Sequence, residues 1–349
     1  MVDRNLTERL LKKLEEINQG KLRDFNVVLL PDFFVDHFLT LDLLEENFDK
    51  IRKIAQQGGG NIPNVSQKIS QGGNSANTAL ALKKLGICSH LICKTDELGL
   101  NLLDYFLGKA GVNLSNVKTN GRLAITTALE FGEKHTNVMI GDAGSVSDFS
   151  FEDLDDNDFY LIKNSDLLCV TTWNLNENGT MLAKKCFEFA KNNCVKTFFD
   201  TGDPTPRCNE IPNLIEHVLM DKNLDILGLN ENELLQYSNT DSSEDLVNAG
   251  VELKKKINAR IDLHTADFTC SINNDVTVVP TLNISNVYRS TGAGDAWNAG
   301  NIFGELLNFL DDERLLFASA AAACYISSPK PVHPTMKDII SFLKNLGKI

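Results

Sequence analysis

Two short glycine turns, each leading into a run of small residues, are where this sequence could do chemistry. One is Arg289-Ser290-Thr291-Gly292-Ala293-Gly294-Asp295, followed by a helical pattern carrying Ile302, Phe303, Leu306 and Leu310. Glycine lets a ligand approach the backbone, and the first turn of a helix has N–H groups with no partner inside the helix. The helix dipole adds partial positive charge there, so the turn is an anion site that needs no Lys or Arg. Asp295 is the odd member. A carboxylate beside an anion repels it, unless the carboxylate takes a proton from a nucleophile attacking that anion. That chemistry is phosphoryl transfer to a hydroxyl, with Asp295 as general base and the N–H groups of Gly292, Ala293 and Gly294 stabilising the transferred group. The same residues would also suit a tight turn in which Asp295 caps a helix.

Four further segments bear on this reading. Gly72-Gly73-Asn74-Ser75-Ala76-Asn77 is the second glycine turn, and the Asn77 amide can donate to and accept from sugar hydroxyls. Asp36 follows the first apolar run in Pro31-Asp32-Phe33-Phe34-Val35-Asp36, read as a loop, and could accept hydrogen bonds from adjacent hydroxyls. Asn230 and Glu233 follow another apolar run and are three residues apart. They could hold a hydrated Mg²⁺ near phosphates, and the same pair is a reciprocal helix cap. Asp200, Asp203 and Arg207 form a weaker group, in which Arg207 pairs with one of the aspartates or with an anion.

The elements that must position these residues show in the hydrophobic pattern. Continuous apolar runs at 27–30, 167–170, 195–199, 224–229 and 259–263 read as strands buried on both faces. Helical patterns at 4–20, 180–191 and 243–256 lie among them. The alternation predicts an α/β fold with a mainly parallel central sheet flanked by helices. Residues 123–131 and 137–140 read instead as a β-hairpin connected through 132–136, a small second sheet or flap. Gly58, Gly59 and Gly60 fit either a hinge of that flap or a plain surface loop. The 349 residues are read as one large body, 1–349, with lid segments of about 36–70 and 118–142 inserted in it.

Composition limits the partners. With 34 Lys+Arg against 47 Asp+Glu, the formal charge is −13, which disfavours nucleic acid and anionic membranes. Lys254-Lys255-Lys256, the densest basic cluster, reads as a solvated helix face. The eight cysteines are scattered with no C-x-x-C pair and read as free thiols of a reducing compartment. The N-terminus lacks a signal-peptide apolar core and no run is long enough to span a bilayer, so a cytoplasmic protein is expected.

Taken in order, these motifs resemble the ribokinase-like (PfkB) family of carbohydrate and nucleoside kinases, from about Phe25 to about Ile340. Residues 289–295 resemble its C-terminal D-T-x-G-A-G-D signature, with Arg289 where the first Asp is usual. Residues 72–77 resemble its G-G-x-x-x-N signature, Asn230 to Glu233 its N-x-x-E motif, and Asp36 its substrate-binding Asp. The resemblance implies a kinase whose acceptor is held by Asp36, Gly72, Gly73 and Asn77 under a β-sheet lid that often mediates dimerisation. It also implies a nucleotide donor, ATP or alternatively ADP, near Thr291, Gly292 and Gly294, with Mg²⁺ near Asn230 and Glu233. The nucleotide loop T-x-G-x-x-G has no match here: His264, Ala266 and Thr269 replace its Thr and glycines, leaving His264 and Thr265 to face the nucleotide. The acceptor could be a free sugar, a sugar acid, a sugar phosphate or a nucleoside, and Arg122 and Lys134 could meet an anionic one. A non-catalytic sugar or nucleotide sensor is the rival from another class. A dinucleotide oxidoreductase fits poorly, because no glycine-rich turn follows the first strand.

Overall fold

The structure, a computed structural model, describes residues 3–18, 20–41, 43–131, 136–238 and 245–346. The strands are β1 (Asn26–Leu30), β2 (Phe34–Leu41), β3 (Ser66–Gly72), β4 (Cys88–Leu91), β5 (Ala124–Phe131), β6 (Thr136–Asp142), β7 (Leu167–Thr171), β8 (Lys196–Asp200), β9 (Ile226–Asn230), β10 (Arg260–His264), β11 (Phe268–Ile272) and β12 (Val276–Pro280). Eight form one sheet in the order β12-β11-β10-β9-β8-β7-β1-β4. It is parallel from β4 to β10, and β11 and β12 add an antiparallel edge.

The apolar runs are continuous because both faces of this sheet are covered. Along β1, Val27 and Leu29 join one core with the helices Arg4–Glu16, Asn74–Leu85, Ala293–Leu306 and Asp311–Ile326. Val28 and Leu30 point the other way, into a core shared with the helices Gly179–Asn192 and Leu246–Lys254. A buried cluster braces the first layer: Arg314 donates to Asp262 and to Ser271, and Asn301 also donates to Asp262.

A second, mixed sheet has the order β3-β2-β5-β6. The expected hairpin is its β5–β6 pair, with Leu129 opposite Val138; its connection at 132–135 lies outside the described residues. The segment expected as a loop around Asp36 is a strand instead. β2 pairs with β3 on one side and runs parallel to β5 on the other, which puts Asp36 opposite both Ser70 and Thr126. Gly58, Gly59 and Gly60 take positive φ just after the helix Leu44–Gln56, where left-handed glycine ends a helix without steric cost. All eight cysteines are free thiols.

Candidate active site

Five of the parallel strands, β1 and β7 to β10, deliver polar groups at or just past their carboxyl ends, where open α/β sheets bind ligands. β1 leads to Asp32, β7 to Thr172 and Asn174, β8 ends in Asp200, β9 in Asn230 and β10 in His264. These residues line one cleft of about 340 Å³, together with Asp36, Gly73, Asn77, Glu233, Thr291, Gly292, Gly294 and Asp295. The mixed sheet closes one side through Phe34, Asp36, Thr126 and Met139.

The helix Ala293–Leu306 starts from Gly292, whose φ of +81° is left-handed and suits glycine. The Ala293 N–H bonds the Ser290 carbonyl at 3.1 Å. The N–H groups of Gly292, Gly294 and Asp295 have no acceptor among the described residues, so they are the ones free to meet an anion. Asp295 is buried, and Asn77 donates to its Oδ2 at 2.9 Å. Burial first, then repulsion from Asp200, raises the proton affinity of Asp295 well above the ordinary carboxylate range. That shift is in the direction a general base requires.

The two glycines at 72 and 73 are explained by carboxylates. A Cβ on Gly72 would lie 2.3 Å from both oxygens of Asp36. Gly73 has φ +96°, and its Cβ would lie 2.9 Å from Asp32 Oδ2. Asp32 accepts from the N–H groups of Asn74 (2.7 Å) and Ser75 (2.9 Å) and from Thr171 Oγ1 (2.6 Å). It thereby caps the helix that carries Asn77 and ties it to β7. Sequence reasoning missed this role; its only signal was an Asp next to the Asp36 motif.

Asp36 titrates unusually high, at about 6, because burial outweighs its hydrogen bond to Thr126. An ionised Asp36 accepts hydroxyl hydrogen bonds better than a protonated one. Protonation of Asp36 is therefore expected to contribute to a fall in acceptor kcat/KM as pH drops through about 6, and Asp36→Asn should lose that contribution while keeping the acid limb of the base Asp295. The sign for stability is opposite. The folded-state value lies above the ordinary 3.8, so the contribution is full below about 3.8 and lost as pH rises through about 6. Asp36→Asn should consequently unfold at a higher temperature than the wild type at pH 7.5, as thermal denaturation would show.

Asn230 and Glu233 form the reciprocal cap. Glu233 accepts from the Asn230 N–H (2.9 Å) and Nδ2 (2.8 Å), and its own N–H donates to Asn230 Oδ1 (3.0 Å). Burial, and then Asp200, raise the Glu233 proton affinity well above normal. No three His, Cys, Asp or Glu side chains among the described residues converge as a metal cage. The donor set fits an ion that keeps its waters, since the cleft collects carboxylates and no Lys or Arg lines it among the described residues.

The remaining expectations divide. His264 joins the cleft and also a shallower groove beside it, lined by Asn230, Glu231, Asn232, Leu235, Thr265 and Ala266. Its ring stands 4.9 Å from that of Trp297, and burial pushes its pKa down to about 4, so it is neutral at pH 7. Thr265 Oγ1 accepts from the Asp267 and Phe268 N–H groups and fixes the β10–β11 turn. Arg207 pairs with Glu210 and caps the carbonyls of Trp173 and Asn176, not Asp200 or Asp203. Asp200 accepts instead from Asn298 and the Gly202 N–H. Arg122 is exposed and pairs with Asp142, and Lys134 lies outside the described residues.

A doubly covered, mainly parallel sheet with a small mixed sheet over its carboxyl edge is a ribokinase-like architecture. Residues 51–338 match the pfkB family carbohydrate kinase profile, and the chain belongs to that family. It is similar to 5-dehydro-2-deoxygluconokinase of Geobacillus thermodenitrificans, 24% identical over 79% of this chain and 84% of that protein. The like-named protein of Clostridium botulinum is 26% identical over 78% and 84%. Among solved structures, Arabidopsis thaliana ribokinase complexed with ribose and ATP superposes with a TM-score of 0.74 at 19% identity, covering 92% of this chain and 98% of that one. Adenosine kinase from Sinorhizobium meliloti gives a TM-score of 0.74 at 17%, covering 92% and 99%. The protein is thus a carbohydrate kinase, a phosphotransferase with an alcohol acceptor. No described helix is long and apolar enough to cross a membrane.

Proposed function

We propose that this kinase moves the terminal phosphoryl group of a nucleotide, with ATP as donor, to a hydroxyl of a small uncharged polyol. One observation carries the reading: buried Asp295, held by Asn77, sits on the first helical turn whose free N–H groups face the same cleft as Asp36. Asp36 and Asn77 hold the acceptor's hydroxyls beside Gly73. Asp295 takes the proton of the attacking hydroxyl, and the Gly292 and Gly294 N–H groups stabilise charge on the phosphoryl oxygens. Thr291, His264 and Thr265 border the donor's side. Asn230 and Glu233 would hold hydrated Mg²⁺, which when bound neutralises phosphate charge in a cleft lined by no Lys or Arg among the described residues. ADP is the alternative donor.

The acceptor's charge follows from the walls. The curated relatives are named for a sugar-acid acceptor, yet no Lys or Arg lines the cleft among its described residues. An uncharged sugar or nucleoside avoids bringing an anion among carboxylates. The test is a thermal-shift screen of sugars, nucleosides, sugar acids and sugar phosphates with Mg²⁺ and nucleotide, followed by product analysis of the hits. A sugar acid as the preferred acceptor would overturn the choice of an uncharged one. Ligand binding without any phosphorylated product would favour the sensor reading.

The mixed sheet serves as the lid and, in this reading, as a homodimer surface. Its strands expose Ile69, Ile125, Val138 and Ile140; Ile69 and Ile125 are one residue from positions opposite Asp36, so they point away from the cleft. Ile125→Asp with Ile140→Asp is expected to convert a dimer to a monomer in light scattering; a monomeric wild-type protein would contradict the dimer.

A further inference from the structure

Arg289 stands where the resemblance expects an aspartate, and the proposed chemistry gives it no task. Its surroundings do. The guanidinium donates to the Tyr325 carbonyl in the last turn of the helix Asp311–Ile326, at 2.8 Å, and to two carbonyls just past its end, Ser328 at 2.6 Å and Pro329 at 3.1 Å. This is the negative end of that helix, where a cation is favoured. The neighbouring Tyr288 N–H bonds the Ile326 carbonyl at 2.9 Å. Arg289 also lies 5.4 Å from the centroid of the Tyr325 ring. That ring stacks on His333 at 4.5 Å and 11°, a buried imidazole whose two nitrogens have no hydrogen-bond partner among the described residues. The hydroxyl end of Tyr325 abuts Gly292: a Cβ there would lie 3.0 Å from Tyr325 Oη. A chain of contacts therefore runs from Arg289 through Tyr325 to the glycine that begins the anion turn.

We propose that Arg289 is a positioning residue for phosphoryl transfer, a half-buried cation that pins the end of the helix Asp311–Ile326 and holds Tyr325 against Gly292. Three carbonyl oxygens converging on one point repel one another unless a cation sits between them. A planar guanidinium satisfies all three in fixed directions, whereas an ammonium offers charge without the fork. The inference rests on the reading that this turn holds the phosphoryl group. If Arg289 is lost, the turn shifts relative to Asp295 and the acceptor, and displacements of about 1 Å can cost up to a hundredfold in rate.

Arg289→Ala and Arg289→Lys, assayed with Asp295→Asn alongside, test this. Both Arg289 variants are expected to lose about tenfold to a hundredfold in kcat while acceptor KM and nucleotide Kd change little. Methylguanidinium added below denaturing concentration should restore turnover to Arg289→Ala and leave the wild type unaffected. If Arg289→Ala does not fold, Arg289→Lys decides: a lowered kcat with unchanged melting temperature supports the proposal, and a wild-type kcat overturns it. A loss that only tracks the melting temperature, without rescue, also overturns it. Inactive Asp295→Asn beside fully active Arg289 variants removes this inference alone; active Asp295→Asn removes the underlying reading of the turn.

Discussion

Replacing Asp295 with asparagine should lower kcat by about a hundredfold to ten-thousandfold, the range for losing a positioned general base. Nucleotide affinity should be nearly unchanged, because the free N–H groups of Gly292 and Gly294 belong to the backbone. The substitution keeps the shape of the side chain and still offers an oxygen to Asn77 Nδ2, so the fold is retained. Stability separates this role from a structural one. The folded protein raises the proton affinity of Asp295 through burial and through Asp200. Such a group contributes stability below its ordinary value and loses it as pH rises through the folded value. At neutral pH a neutral amide should therefore melt at or above the wild-type temperature. Lost turnover with undiminished stability is the signature of a catalytic carboxylate, measured by steady-state kinetics, calorimetric titration of nucleotide and thermal denaturation. Near-normal turnover would remove Asp295 as the base.

The second large effect concerns the acceptor. Asp36→Ala should reduce acceptor kcat/KM by roughly a hundredfold, since hydrogen bonds to a charged group contribute about 1.5–3 kcal/mol each. Gly72→Ala should reproduce much of that loss without touching the carboxylate. Gly72 does not have positive φ, so alanine is unstrained there, but its Cβ would sit 2.3 Å from the Asp36 oxygens and must push them aside. Both variants should bind nucleotide normally. An Asp36→Ala enzyme with unchanged acceptor kcat/KM would place the acceptor elsewhere.

The central sheet was legible because burial on both faces leaves an unbroken apolar run, as in 27–30 and 167–170. The mixed sheet was only half legible. β5 is rich in strand formers, but β3 reads Ser-Gln-Lys-Ile-Ser-Gln-Gly, with one apolar residue and no period. β2 begins just after Pro31-Asp32-Phe33, a turn-like signal that suggests a loop, yet Phe34 to Leu41 pairs with neighbours on both sides. The edge strands β11 and β12 carry strand formers on either side of a turn, Asn273-Asn274-Asp275. In the site, Asp295, Asn77, Asp36 and Glu233, singled out by motif, line one cleft. Roles set by long-range contact were invisible: Asp32 caps a helix 42 residues away, and Arg289 reaches carbonyls more than thirty residues on. Sequence spacing carries no record of such pairs.

Single-turnover analysis of the wild-type enzyme with radiolabelled nucleotide, Mg²⁺ and the acceptor found by screening tests the central claim most directly. The account predicts that label moves from the nucleotide to one acceptor hydroxyl, one acceptor phosphorylated per nucleotide consumed, and that Asp295→Asn binds both substrates yet transfers no label on that timescale. Binding of both by the wild type with no label on the acceptor, or transfer by Asp295→Asn at the wild-type rate, would contradict it.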